Sequence, residues 1–304
     1  MQAFIRAIPI LWQPLTCIRK IHRISRYCFN KGITMPLRRD YPAAQELIKL
    51  TGKGALVTGG AAGIGYAIAY RLAEAGARVL IVDVNGEKAV QASKELKSRG
   101  YWTESLACDI TREKAVESMT RKAVGILGSI DVLVNNAGIY PRIPLAEMTE
   151  KNFDDVISVN LKGTLFCSRA AGQEMMARGR GGCIINIASI EAIHPSGDGM
   201  SAYAASKGAV LTLTKSLARE LGKHDIRVNV IVPGAIATEG MRSMFSGPSS
   251  REARAQLKAF MSRMLLGRMG EADEIGRVAL FLASDLASYI TGSMVVVDGG
   301  YLVT

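Results

Sequence analysis

The sequence predicts an α/β fold built on a parallel sheet covered by helices on both faces, and three observations carry that prediction. Short, wholly apolar runs recur along the chain, Val79-Leu-Ile-Val82 being one. Longer segments of helical period separate them. A glycine-rich turn follows the first apolar run and opens a helix. A strand apolar at every position is buried on both faces, which a sheet between two helix layers provides.

In order, Ala55-Leu-Val57 is the first strand, leading into the turn and then a helical period through Ile68, Leu72 and Ala75. Val79-Leu-Ile-Val82 is the second strand, and Ile130-Asp-Val-Leu-Val134 a later one. Cys183-Ile-Ile-Asn-Ile187, Val228-Asn-Val-Ile-Val232 and Met294-Val-Val-Val297 continue the series. No internal repeat or second-domain boundary appears, and 304 residues fall within one large α/β domain.

With 48% hydrophobic and 21% charged residues, the composition excludes a disordered or collagen-like chain. Five cysteines are scattered without a Cys-x-x-Cys pair, which fits a reducing compartment and no zinc site. The formal net charge is +11, unevenly placed: residues 1–50 carry +7 and the remainder only +4. A nucleic-acid footprint requires a basic face on the folded body, and no aromatic stacking platform accompanies this charge, so no nucleic-acid partner is expected.

Residues 1–50 read as a basic leader, acid-free through Arg39, and residues 51–304 as the catalytic domain. Three readings of the leader stand side by side: a mitochondrial-type presequence over residues 1–34, a surface arm edged by Ile18, Ile21 and Ile24, or upstream sequence preceding a natural start at Met35. No apolar run reaches the ~18 residues a membrane span needs, so no membrane partner is expected. The expected location is the cytoplasm, or the mitochondrion if the leader is a presequence.

The first strand runs into Thr58-Gly59-Gly60-Ala61-Ala62-Gly63-Ile64-Gly65. Glycines let such a turn approach a pyrophosphate, and the following helix start supplies free N–H groups. Asp83 closes the second strand about 20 residues on, where a carboxylate accepts both ribose hydroxyls of an adenosine and repels a 2′-phosphate. No Lys or Arg lies in the turn or immediately after Asp83, so NAD is favoured over NADP.

Tyr203 and Lys207 are four apart and share a helical face. A phenol near pKa 10 is a poor acid–base catalyst at neutral pH, and a nearby ammonium favours its ionised form. Ser189 follows the strand ending at Ile187, and Asn160 lies in a helical pattern over 153–165. Each has an ordinary reading as well: Tyr-x-x-x-Lys pairs are common on helix surfaces, and Ser189 can cap the next segment.

Together these residues resemble the short-chain dehydrogenase/reductase family. The resemblance rests on Thr58-Gly-x-x-x-Gly63-Ile-Gly65, Asp109, Asn135-Asn-Ala-Gly138, Asn160, Ser189, Tyr203-x-x-x-Lys207 and Pro233-Gly-x-Ile-x-Thr238, with Gly267-Arg-Met-Gly270 and Asp298-Gly-Gly300 further on. It covers residues 51–304 in the family's own order. It implies a single Rossmann-type doubly wound domain with a seven-stranded parallel sheet. It also implies an NAD(P)-dependent oxidoreductase moving a hydride between the nicotinamide and a secondary alcohol or ketone. By resemblance, Tyr203 is the acid/base, Ser189 orients the carbonyl, Lys207 lowers the phenol pKa and holds the nicotinamide ribose, and Asn160 supports a proton relay. Gly59, Gly63, Ile64, Gly65, Asp83, Asp109, Ile110, Asn136, Ile236 and Thr238 are the implied cofactor contacts, with no metal. Asp109 meets the adenine amino group, Asn136 the adenosine ribose, and Ile236 and Thr238 the carboxamide.

Ser189 and Tyr203 are 14 apart, one more than the commoner family spacing, and the extra residue falls in the substrate-side loop containing His194. His194 there reads as structural or solvated. The segment from Thr238 to Arg268, rich in Met and Arg, is implied to form a lid over the substrate. Candidate substrates are a 3-oxoacyl thioester, a sugar or polyol, and a small alcohol or ketone. A catalytically silent family member would lose one of Asn160, Ser189, Tyr203 or Lys207, and all four are present. The implied assembly is a homotetramer or homodimer packed through helices around 153–178 and 204–222.

Overall fold

The apolar runs form the strands of one parallel sheet, because each must be covered from both sides. The computed structural model describes residues 40–239 and 260–304. The chain divides into units 1–43 and 44–304; the leader expectations and most of the implied lid lie outside the described residues. Seven strands pair in the order β3-β2-β1-β4-β5-β6-β7: β1 (Gly54–Thr58), β2 (Arg78–Asp83), β3 (Thr103–Ala107), β4 (Val132–Asn135), β5 (Gly182–Ile187), β6 (Ile226–Pro233) and β7 (Met294–Val297). Every pairing is parallel, with Leu56 opposite both Leu80 and Leu133.

Successive side chains of a strand face opposite sides, so one sheet feeds two apolar layers. Val57, Val79 and Ile81 pack with Leu72, Leu96 and Ile275 on one face. Leu56, Leu80 and Leu133 pack with Met119, Leu127 and Met175 on the other. The covering helices are α1 (Gly63–Glu74), α2 (Gly86–Ser98), α3 (Glu113–Leu127), α4 (Glu150–Ile157), α5 (Thr164–Arg178), α6 (Ser201–Leu221) and α7 (Ala272–Ala283). Their ends follow side-chain chemistry: Asn85 accepts from the Lys88 N–H at 3.0 Å to start α2, and Thr149 with Asn152 forms a capping box on α4.

Two expectations change in detail. The chain from 153 to 165 is not one helix: α4 passes into a π-helical turn, Ser158–Gly163, before α5 begins. The sequence pattern also passed over β3, whose residues Thr-Glu-Ser-Leu-Ala are mostly half-exposed at the sheet edge.

After β1 the chain builds β2 and β3 to one side, then crosses to β4 on the other. That reversal leaves a crevice at the carboxyl ends of β1 and β4, where a parallel sheet of this kind binds ligands. A smaller apolar cluster, with Val230, Val232, Met264 and Tyr301, closes one end of this crevice. Among the described residues, no helix is long and apolar enough to cross a membrane.

Candidate active site

The crevice is a cavity of about 1040 Å³ running from Asp83 and Asp109 to Tyr203, Lys207 and Tyr301. Where the β1–α1 turn lines it, two positions accept only glycine. Gly59 has φ 60°, and a Cβ there would meet the Ala137 backbone at 2.7 Å. A Cβ on Gly65 would lie 2.0 Å from the Gly59 carbonyl oxygen, so Gly65 packs beneath the turn, while Gly59, Gly63 and Ile64 line the cavity. Ala62, at the N-cap of α1, offers no side-chain oxygen to the helix, leaving the first N–H groups available to a ligand.

Asn136 braces the turn. Its amide nitrogen donates to the carbonyl oxygens of Thr58 and Gly59, at 3.2 and 2.8 Å, and its backbone N–H donates to Thr58 Oγ1 at 3.1 Å. Asp83 accepts from the backbone N–H groups of Ala61, at 3.3 Å, and Asn85, at 3.0 Å, which holds its carboxylate at the mouth of the turn. Asp109 accepts from the Thr111 N–H and hydroxyl on one oxygen, and Ile110 lines the cavity beside it. Lys88, in the first turn of α2 and five residues after Asp83, is a cation lining the same cavity. Ile236 and Thr238 line the cavity after β6. The cradle, the carboxylate-bearing strand end and the length of the cavity fit a dinucleotide.

At the other end, Ser189 follows β5 and caps a 3-10 turn, its hydroxyl accepting from the Glu191 N–H at 3.2 Å. The capping reading and the cavity-lining reading therefore both hold for this residue. Tyr203 and Lys207 project from the first turns of α6, the Lys207 nitrogen 5.9 Å from the phenol ring centroid. Lys207 Nζ donates to the Ile187 carbonyl oxygen at 2.8 Å. Asn160 does not line the cavity. It is fully buried in the π-helical turn, its amide donating to the Ile139 carbonyl oxygen and Ser206 Oγ, its Oδ1 accepting from the Ile139 N–H. A Cβ on Gly138 would lie 3.2 Å from Asn160 Oδ1 and 3.4 Å from Lys207 Nζ, so Gly138 lets the two residues come together.

Burial pushes the Tyr203 phenol up to about 12; the facing Ser189 hydroxyl acts the other way, and the Glu191 carboxylate and Tyr140 add to the rise. Burial likewise pushes the Lys207 ammonium down to about 8. In the protein alone, burial is the largest influence on the Tyr203 phenol, and Lys207 is not among the groups that shift it.

The sequence placed the loop that begins at Glu191 on the substrate side but gave no sign of the rest of that wall. Tyr140, Arg142, Glu191, Phe260 and Tyr301 line it, and the Tyr140 ring lies 6.1 Å from that of Tyr203. No motif carries these residues, because three separate loops and the chain end bring them together. His194 takes its structural reading, with Nε2 against Arg263 Nη1 at 2.5 Å and its ring 6.0 Å from Tyr301.

A glycine cradle at a sheet's switch point, beside a serine, a tyrosine and a buried lysine, defines a dinucleotide-binding oxidoreductase site. A family model described as enoyl-(acyl carrier protein) reductase matches residues 59–302. A short chain dehydrogenase/reductase of Aspergillus oryzae is 37% identical over 262 residues, covering 84% of this chain and 97% of that protein. The crystal structure of a gluconate 5-dehydrogenase from Burkholderia cenocepacia, in complex with NADP and tartrate, has a TM-score of 0.80 at 34% identity, covering 86% of this chain and 100% of that one. A 7α-hydroxysteroid dehydrogenase complexed with NADH and 7-oxoglycochenodeoxycholic acid has a TM-score of 0.79 at 34% identity, covering 85% and 98%. The chain belongs to the short-chain dehydrogenase/reductase family and is an NAD(P)-dependent oxidoreductase of that family.

Proposed function

We propose that the protein moves a hydride between NAD and the carbinol carbon of a secondary alcohol, with Tyr203 as the acid/base. The observation that carries this reading is that Tyr203, Ser189 and Lys207 open onto the same cavity as the glycine turn and Asp83. Gly59, Gly63 and Ile64 cradle the pyrophosphate, with Gly65 beneath them. Asp83 takes the adenosine ribose hydroxyls, Asp109 and Ile110 the adenine, and Ile236 and Thr238 the carboxamide. Asn136 acts by bracing the turn.

The chemistry supplied by the bound nicotinamide is hydride acceptance or donation, with a positive charge on its oxidised ring. Ser189 donates to the substrate oxygen and fixes it against the phenol. In oxidation Tyr203 takes the hydroxyl proton; in reduction it returns one. A phenol pushed up to about 12 holds its proton at neutral pH, which suits the acid role, and added positive charge beside it favours release. Lys207 holds the nicotinamide ribose and feeds protons to the phenol. Asn160 acts through geometry, tying the α4–α5 kink to Ile139 and to Ser206 on α6.

NAD is the proposed cofactor because Asp83 would stand against a 2′-phosphate; Lys88 is the residue that works against this preference. The substrate classes are a sugar or polyol, a 3-oxoacyl thioester, or a small alcohol. Residues 51–304 form the catalytic domain of a cytoplasmic homotetramer or homodimer, with Phe153 and Leu165 among the exposed apolar residues of the helices named for packing.

The test is absorbance at 340 nm across secondary alcohols, sugars and 3-oxoacyl thioesters, with NAD and NADP each supplied. Tyr203→Phe should lower turnover by about 10²- to 10⁴-fold while NAD still binds. Full turnover in that variant would overturn the assignment.

A further inference from the structure

We propose that Glu191 reads a second hydroxyl of the substrate, so that the cavity selects polyols over plain secondary alcohols and acyl thioesters; this rests on the oxidoreductase reading above. Glu191 stands two residues after Ser189, lines the same cavity as Tyr203, and is 7% exposed. Among the described residues it makes no ion pair. Among the described residues its carboxylate accepts only from Ser196, the backbone N–H on Oε2 at 3.0 Å and the hydroxyl on Oε1.

Tying down Ser196 does not require a charge. A neutral amide or hydroxyl would close the same loop, and a buried carboxylate without a cation is unfavourable unless its lone pairs are used. Each carboxylate oxygen offers about two acceptor sites, so Glu191 keeps capacity for a donor on the cavity side. Its field reaches the reacting end, since the same carboxylate raises the phenols of both Tyr203 and Tyr301.

The ligand that satisfies this wall carries a hydrogen-bond donor near its reacting carbon. A plain secondary alcohol has only the hydroxyl engaged by Ser189 and Tyr203. The two carbonyl oxygens of a 3-oxoacyl thioester are acceptors and face repulsion. An ammonium would suit Glu191 by charge, but Arg142 and Arg263 line the same cavity, and the oxidised nicotinamide adds a further positive charge. A neutral hydroxyl meets no such opposition.

The test compares butane-2,3-diol and erythritol with butan-2-ol and 3-aminobutan-2-ol, in the wild type, Glu191→Gln and Glu191→Leu. Steady-state kcat/KM is read with NAD. Calorimetric titration of the same compounds into protein saturated with NADH supplies a binding readout that needs no turnover. The wild type should favour the diol over butan-2-ol by about 10- to 100-fold, the scale of one hydrogen bond to a charged group. Glu191→Leu should bring that ratio close to one, and Glu191→Gln, which keeps an acceptor for Ser196, should fall between. The proposal is overturned by a folded Leu variant with an unchanged ratio, by a wild type indifferent to the second hydroxyl in both readouts, or by preference for the amino alcohol. Glu191-dependent diol binding without any turnover would uphold this inference and sink the oxidoreductase reading. Robust turnover without diol preference would do the reverse.

Discussion

Tyr203 and Lys207 are both held toward their neutral forms by the same cause, the loss of water around them. For Lys207 the folded value of about 8 lies below the ordinary 10.5, so the unfolded chain binds more protons between those values. Stability therefore rises with pH across that window, and the contribution is lost as pH falls toward 8. Measured by urea unfolding, the wild type should gain about 3 kcal/mol relative to Lys207→Met between pH 8 and 10.5. A difference that stays flat across that interval would refute the burial argument. The Tyr203–Lys207 pair was legible because a fixed four-residue step on one helix places the two side by side. The loop beginning at Glu191 was legible as a substrate border, but the burial of its carboxylate beside Tyr203 was not, because burial leaves no mark in the order of residues.

The elements that hold the site are anchored at the opposite, amino-terminal ends of the central strands. Asp131 precedes β4, accepts from the Gly54 N–H of β1 at 2.8 Å and the Ser129 hydroxyl at 2.6 Å, and meets Arg178 at the end of α5 at 2.5 Å. Burial pushes this carboxyl up, yet the Ser129, Gly54 and Arg178 contacts prevail and hold it below the usual range. The two charged side chains are only 19% and 11% exposed, so removing the charge from one strands the other. Asp131→Asn should cost about 3 kcal/mol at pH 7 by chemical denaturation. Because the folded pKa is depressed, that cost should shrink as pH falls below about 4, where the wild-type carboxylate also takes up its proton. A cost independent of pH would show that packing, not charge, ties these elements. The same geometry explains which elements the sequence revealed. β1 and β4 are buried at every residue and read as unbroken apolar runs. β3 is an edge strand with Thr103 its one buried residue, so it carries no such run. The π-helical turn at Ser158–Gly163 is likewise silent in the sequence, where it reads as a continuation of the helix; within it Asn160 bonds Ile139 and Ser206.

At the scale of the molecule, one cavity touches the ends of β1, β2, β4, β5 and β6, so a single ligand braces most of the sheet at once. Binding to the folded state alone stabilises it by about 2.7 kcal/mol when the ligand is at 100 times its dissociation constant. For a domain of this size each kcal/mol raises Tm by about 2–4 °C, so saturating NAD should raise Tm by about 5–10 °C. In the proposed reading, Asp83 is the residue that selects between the two dinucleotides. Its oxygens are held by the Ala61 and Asn85 N–H groups, which keeps the carboxylate in place against a 2′-phosphate, while Lys88 lines the same cavity. NADP at the same concentration should therefore give the smaller shift. Asp83→Asn removes the repelling charge and leaves Lys88 in place, so it should narrow the gap between the two cofactors or invert it. Lys88→Ala should widen it. Equal shifts for NAD and NADP in the wild type would mean that Lys88 offsets Asp83 in full. A larger shift for NADP would assign the preference to Lys88 and overturn the reading of Asp83 as the selecting residue.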